Sequence, residues 1–370
     1  MKRAHKIRIL PTILFVFLFL VFASWQYKWL CILALILVNR HWIQSGAVGA
    51  RHSWLYPLSI LVSIAGFYGC LPNYIQRGRT QLVYLDQGEM KTHPPVEVYA
   101  ANVLFPEKEL ANLGILGAAM LPSDGMTIAG HRIAGWLLES AKRNFWRGKM
   151  RSFHRPYDQL ALQGSRPGSA AFAQFFNESF DKDYSPFYLT RPARWEKEKE
   201  YPLVVFCHGY LGNWEMYQGI FSSLKECFVL SIGTHDLSGV FRRKDIEEIF
   251  TRYIPCLEEK GIVIDRNQIH LIGLSNGGSA SDCALRDFSD RFKSVAYIST
   301  GCHAMQRSKA RVLLVGGSED PSSAGLIRAK KALDGHGTDC RMLFLQGADH
   351  FLLATHRKEM TAFLKQGMEL

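Results

Sequence analysis

Six short apolar runs in the second half of the chain constrain its fold more than any other feature. They occupy residues 203–207, 228–232, 268–273, 294–299, 311–315 and 341–345 and are separated by stretches long enough for helices. A strand that is apolar along its whole length must be covered on both faces. This pattern therefore predicts an α/β architecture, a mostly parallel doubly wound sheet with helices on either side. Between the second and third runs, Ile246, Ile249, Phe250, Tyr253, Ile254 and Leu257 recur at helical spacing, and Pro255 is expected to bend that helix. Sheets of this kind bind ligands beyond the carboxyl ends of their strands, so the residues that follow each run are the place to look for chemistry.

The third run is followed by Gly273-Leu274-Ser275-Asn276-Gly277-Gly278, the only G-x-S-x-G in the chain. A serine hydroxyl is a poor nucleophile and has to be presented to a base. A sharp strand-to-helix turn does this, and it demands small residues on both sides of the serine. The base must be a near-neutral imidazole, and an acid must fix its tautomer and offset its charge. Asp320 lies in Gly316-Gly317-Ser318-Glu319-Asp320-Pro321 after the fifth run, and His350 lies in Gly347-Ala348-Asp349-His350-Phe351 after the sixth. Taken singly, Asp320 reads equally as a helix cap and His350 as a surface histidine. In the chain order Ser, Asp, His, each beyond a strand, they make the constellation this architecture predicts. Glu319 is the alternative acid; Asp349 is adjacent but points along the wrong element. The first run is followed by His208-Gly209-Tyr210-Leu211-Gly212. The main-chain N–H groups of Tyr210 and Asn276 are the expected pair of oxyanion donors. His208 is expected to brace that loop. Trp214, Tyr217 and His235 (the last beside Asp236) are candidates for lining the substrate pocket, against the plainer alternative of packing and loop capping.

With these motifs in place, residues 201–366 resemble the α/β-hydrolase superfamily. HGYLG, GLSNGG, GGSEDP and GADHF stand where that superfamily has its oxyanion loop, nucleophile elbow, acid turn and histidine turn. PLVVFCHGYLGNWEMY and SIGTHD are similar to the branch that holds platelet-activating-factor acetylhydrolases and dienelactone-hydrolase-like esterases. The resemblance implies an α/β-hydrolase fold, catalysis by Ser275, Asp320 and His350, oxyanion donors at Tyr210 and Asn276, and no metal or other cofactor. The segment between Ser299 and Arg311 is too short for the cap domain usual after that strand, and residues 96–200 carry no motif of the superfamily.

The formal charge of +11 invites a nucleic-acid reading, but its distribution argues against one. Seven of the 44 basic residues and none of the 33 acidic ones lie in residues 1–72, which leaves 37 against 33 in the remainder. The same segment holds uncharged runs at residues 9–27, 29–39 and 53–76, bracketed by Trp and Tyr. This combination predicts an N-terminal transmembrane helical anchor of two or three spans over residues 1–76, followed by a linker at 77–95 and a hydrolase domain at 96–370. Three spans, with the basic N-terminus held in the cytoplasm, would put the catalytic part on the non-cytoplasmic side of a cell membrane. Within 96–200, residues 96–105 are expected to form a strand. A helical face is expected through Ile128, Ile133, Trp136, Leu137, Ala141 and Phe145. Residues 142–155 are basic without an acidic member and read either as a cationic helix lying on anionic lipid or as a solvated face. The eight cysteines show no metal-ligand spacing and are expected as buried free thiols, with room for one or two disulfides.

The expected function is that of a membrane-anchored serine hydrolase cleaving a carboxylic, acyl or lipid ester. Peptidase, thioesterase and acyltransferase chemistry share the triad and stay open, as does a non-enzymatic membrane scaffold of the same shape. The expected partners are the ester substrate and the lipid bilayer, with no nucleic acid.

Overall fold

The structure is a computed structural model that describes residues 11–19, 24–39, 55–72, 78–86, 88–111 and 140–370. The chain divides into two compact units, one of residues 1–72 with 103–150 and one of residues 73–102 with 151–370.

The second unit is built on a nine-stranded sheet. Its strands are β1 (Thr80–Asp86), β2 (Glu89–Lys91), β3 (Pro186–Thr190), β4 (Glu200–Cys207), β5 (Phe228–Ile232), β6 (Val263–Leu274), β7 (Ser294–Ile298), β8 (Arg311–Gly317) and β9 (Cys340–Leu345). They lie in the order β2-β1-β3-β5-β4-β6-β7-β8-β9. From β5 to β9 every neighbouring pair is parallel, whereas β3 runs antiparallel to both β1 and β5. The six apolar runs are the six parallel strands. The four central ones owe their continuous hydrophobicity to burial on both faces: Leu203, Val205, Leu271, Val295 and Leu314 pack with Ile246, Ile254, Leu257, Ala284 and Leu333 in one core, and the alternate residues Val204, Phe206, Ile272, Ala296 and Leu313 are as fully buried. A smaller core joins Leu82, Tyr84 and Tyr188 to Val98, Ala170 and Ala173.

Three expectations need correction. Residues 80–91, expected within a linker, form the β1–β2 hairpin at the sheet edge, and the residues of β1 from Thr80 to Leu85 are mostly buried. The strand expected at 96–105 is a helix, Val96–Leu104; Pro94 and Pro95 precede it, Glu97 sits in its first turn, and Val98 and Asn102 are buried one helical turn apart. Around Pro255 the single bent helix that was expected is three consecutive segments, the first of them Arg243–Glu248. A π-helical stretch, Ile249–Tyr253, interrupts the helix, and a new segment, Ile254–Glu259, starts with Pro255 in its first turn, where its missing N–H costs nothing. Strand β3 had no counterpart in the expectations.

In the first unit, Trp25–Val38 and Leu55–Gly69 are helices, with residues 11–19 also helical. Gly66 lets Leu55–Gly69 lie against Trp29, since a Cβ there would come 2.3 Å from the indole. The Ser24 N–H donates to Glu109 Oε2 at 2.8 Å. The spans expected over 9–27, 29–39 and 53–76, of which 9–10, 20–23, 53–54 and 73–76 lie outside the described residues, are not supported: among the described residues no helix is long and apolar enough to cross a membrane. The face expected through Ile128, Ile133, Trp136 and Leu137 lies outside the described residues. The basic segment 142–155 is helical, within Ser140–Leu162. All eight cysteines are free, and seven of them are buried.

Candidate active site

Strand β6 ends at Leu274, and the chain turns through the 3-10 turn Ser275–Gly277 into the helix Gly278–Asp287. The turn is tight enough to force Ser275 to φ +52°, in the left-handed region that side chains disfavour by about 1–2 kcal/mol. The flanking glycines are required by contact. A Cβ on Gly273 would lie 2.3 Å from the Gly277 carbonyl oxygen, and one on Gly277 would lie 2.3 Å from that of Cys207 at the end of β4. A Cβ on Gly209 would approach Ser275 Cβ to 2.9 Å, so the loop after β4 also lies directly against the serine. Ser275 is thus wedged among main-chain atoms of two strand ends.

The structure brings Ser275, His350 and Asp320 together. His350 Nε2 is 3.0 Å from Ser275 Oγ, and His350 Nδ1 is 3.1 Å from Asp320 Oδ1. A carboxylate only accepts, so Nδ1 carries the hydrogen, and Nε2 presents its lone pair to the serine hydroxyl. Asp320 is buried and densely solvated by protein donors. Ser322 N–H and Ser322 Oγ donate to Oδ1 at 3.1 and 2.6 Å, and Ser323 Oγ donates to Oδ2 at 2.9 Å. Burial alone would raise the Asp320 carboxyl, but the hydrogen bonds from Ser322, His350 and Ser323 hold it below its ordinary value. It also caps the turn Pro321–Ser323, so the same carboxylate faces His350 and caps a turn. Glu319, the alternative acid, is exposed. Asp349 Oδ1 accepts from Phe351 N–H.

The loop after β4 is braced by buried amides. The Thr234 N–H donates to His208 Nε2 at 3.2 Å, which leaves His208 Nδ1 to donate to the Gly209 carbonyl at 2.6 Å. Burial pushes the His208 imidazole down to about 4, against a weaker upward pull from that carbonyl, so it stays neutral and structural. Gln174, from the helix Ala171–Phe180, donates through Nε2 to the Thr234 and Asp236 carbonyls and accepts from Asn213 N–H at 2.7 Å. Asn276 Nδ2 donates to the Ser238 carbonyl at 2.9 Å, and Gly239, at φ +67°, fits where a Cβ would meet the Gly209 carbonyl. Asn276 follows Ser275 in the turn and Tyr210 follows Gly209, so the two residues expected as oxyanion donors belong to a turn and a loop that meet at Ser275 and are held together through residues 238–239.

The three residues expected to line the pocket have other contacts. Trp214 Nε1 donates to the Leu211 carbonyl at 2.7 Å, Tyr217 rests its ring on Phe206, and His235 Nε2 contacts the Lys182 carbonyl. Sequence reasoning missed Gln174, Asn177, Ser322 and Ser323. The first two left a signal: they are polar residues three apart on the same helix face as Ala170 and Ala173, where the pattern calls for apolar side chains. Among the described residues no group of acidic, histidine and cysteine side chains could hold a metal ion.

No family model and no curated protein matches the chain. Solved structures do. A thermostable esterase is 20% identical over 50% of this chain and 57% of its own, with a TM-score of 0.39. An acylaminoacyl peptidase from Pyrococcus horikoshii is 17% identical over 50% of this chain and 39% of its own, with a TM-score of 0.39. Esterase B from Lactobacillus Rhamnosis is 16% identical over 50% of this chain and 80% of its own, with a TM-score of 0.40. This chain thus spans little over half of the thermostable esterase and less than half of the peptidase. The fold rests on the chain's own strand order: six parallel strands with the antiparallel β3 beside β5 and the β1–β2 hairpin beyond it, a glycine-bounded serine turn after β6, an aspartate after β8 and a histidine after β9. That is the α/β-hydrolase fold.

Proposed function

We propose that this protein is a serine hydrolase that cleaves a carboxylic ester with an apolar acyl chain. The observation that carries the reading is Ser275 in its strained turn, 3.0 Å from an imidazole whose far nitrogen faces a buried carboxylate. In this reading Ser275 Oγ attacks the acyl carbonyl while His350 Nε2 takes its proton. Asp320 stabilises the resulting imidazolium, and the N–H groups of Tyr210 and Asn276 receive the negative charge on the carbonyl oxygen. His350 then protonates the leaving alcohol, and a water activated by the same imidazole releases the acid and restores Ser275. A fluorophosphonate probe tests this directly: the wild type should label, and Ser275→Ala should not. An unlabelled wild type would overturn the reading.

The rim supports the apolar acyl chain. Tyr210, Leu211, Val240 and Phe351 are 64%, 51%, 50% and 46% exposed. Each lies within two residues of a group that holds or touches Ser275, namely Gly209, Ser238 through Asn276, or His350. Exposed apolar side chains adjoining the residues at Ser275 support an apolar binding surface there. Cleavage of p-nitrophenyl esters should rise from acetyl to octanoyl, and Phe351→Ser should flatten the rise. Faster turnover of peptide or thioester substrates would favour the peptidase or thioesterase alternatives.

We also propose that residues 1–76 attach the protein to a cell membrane, with the hydrolase part outside the cytoplasm. The support is the concentration of basic charge beside uncharged runs, together with Leu61, Val62, Ile64 and Tyr68 exposed along Leu55–Gly69. Attachment predicts that the full chain stays in the membrane fraction after carbonate extraction and that protease added outside intact cells removes the label at Ser275.

A further inference from the structure

The hydroxyl of Ser322 occupies a position that the reaction proposed above does not require. Ser322 Oγ lies 2.6 Å from Asp320 Oδ1, 3.2 Å from His350 Nδ1 and 2.8 Å from the Ser299 carbonyl oxygen. It has one hydrogen, which serves either the carboxylate or the carbonyl. Toward the imidazole, whose Nδ1 carries its own hydrogen, it can only accept. The direct Nδ1–Asp320 distance of 3.1 Å is longer than the 2.7–2.9 Å usual for a charge-assisted bond. The Nδ1–H therefore sits between two oxygens that are themselves bonded to each other.

We infer that Ser322 is a positioning residue for the catalytic imidazole: a second acceptor at Nδ1, held in place by its own donation to Asp320. The inference rests on the serine-hydrolase reading. Asp320 does not need this hydroxyl to be satisfied, because Ser322 N–H and Ser323 Oγ already donate to it and both remain when the side chain is shortened. What only the Ser322 hydroxyl supplies is contact with both members of the His–Asp pair. Around the imidazole, the acid turn contributes Asp320 as the charged partner and Ser322 as the neutral one, and the elbow contributes Ser275. On the imidazole's own loop, the Asp349 carboxylate is turned to the Phe351 N–H.

The test compares full-length wild type, Ser322→Ala and Ser322→Thr on a p-nitrophenyl ester across pH, with fluorophosphonate labelling of each. Ser322→Ala should lose roughly tenfold in kcat with KM within about twofold, as expected for loss of one hydrogen bond to a charging group. Its acid limb in kcat/KM should move to lower pH by about half a unit, because the imidazolium loses an acceptor at Nδ1. Ser322→Thr, which keeps the hydroxyl, should restore both. If Ser322→Ala does not fold, Ser322→Cys takes its place, since a thiol donates weakly and should show the same losses. An unchanged kcat with an unmoved acid limb, a limb moved to higher pH, or failure of threonine to restore both overturns the inference. A wild type that labels while these changes are missing rejects Ser322 alone; a wild type that does not label rejects the serine-hydrolase reading itself.

Discussion

At the scale of single residues, the site divides into atoms fixed by sterics and atoms fixed by charge. Ser275 and its glycines belong to the first kind, Asp320 to the second. Asp320→Asn leaves the shape intact but replaces an acceptor with an amide that can donate, which favours the wrong imidazole tautomer. A loss of about ten-thousand-fold in kcat is expected, with the protein still folded by circular dichroism. Retention of more than a tenth of the activity would mean that another group supports His350. Ser275, Asp320 and His350 were legible in the sequence because each stands at a strand end in a glycine-rich turn, and glycine is visible in a sequence. Ser322 and Gln174 were not. What they do depends on partners such as Ser299, His350, Thr234 and Asn213, which lie 23 to 60 residues away and become neighbours only when the sheet forms.

At the scale of elements, the turn between β6 and the helix Gly278–Asp287 makes a prediction of its own. Gly277→Ala would place a methyl 2.3 Å from the Cys207 carbonyl, a main-chain atom in the middle of the sheet that cannot step aside. The expected cost is about 1–3 kcal/mol in urea unfolding, together with slowed fluorophosphonate labelling. Gly335→Ala, at the end of the helix Leu326–Gly335 with nothing within 4 Å of the added methyl, should leave both unchanged. The parallel strands were readable because burial on both faces makes them apolar without interruption. The flank of the sheet was not. In β1, Thr80 and Gln81 break the apolar run and a polar stretch surrounds it. In Val96–Leu104, alternation of small and branched residues imitated a strand, while the two prolines ahead of it and the Val98–Asn102 spacing carried the correct helical signal.

At the scale of the whole molecule, two buried histidines couple stability to pH. Burial holds His208 down to about 4 and His270 down to about 3, whereas an unfolded histidine takes its proton near 6.5. Between these limits the unfolded chain binds more protons than the folded one, so stability falls as pH is lowered from about 6.5 toward 4, by about 1.4 kcal/mol per unit for each histidine. Urea midpoints at pH 7.5 and pH 5 should show this loss, and His270→Asn should remove about half of the slope. A midpoint unchanged across that range would mean that these side chains are hydrated and free to charge. The wedge around Ser275 carries a different implication, for how such a molecule diversifies. Because the nucleophile is clamped by main-chain atoms from two strand ends, no side-chain replacement can re-aim it. New preferences must be written instead in the surrounding loops at 210–211, 240 and 351, and related sequences are expected to vary there while the turn itself stays fixed.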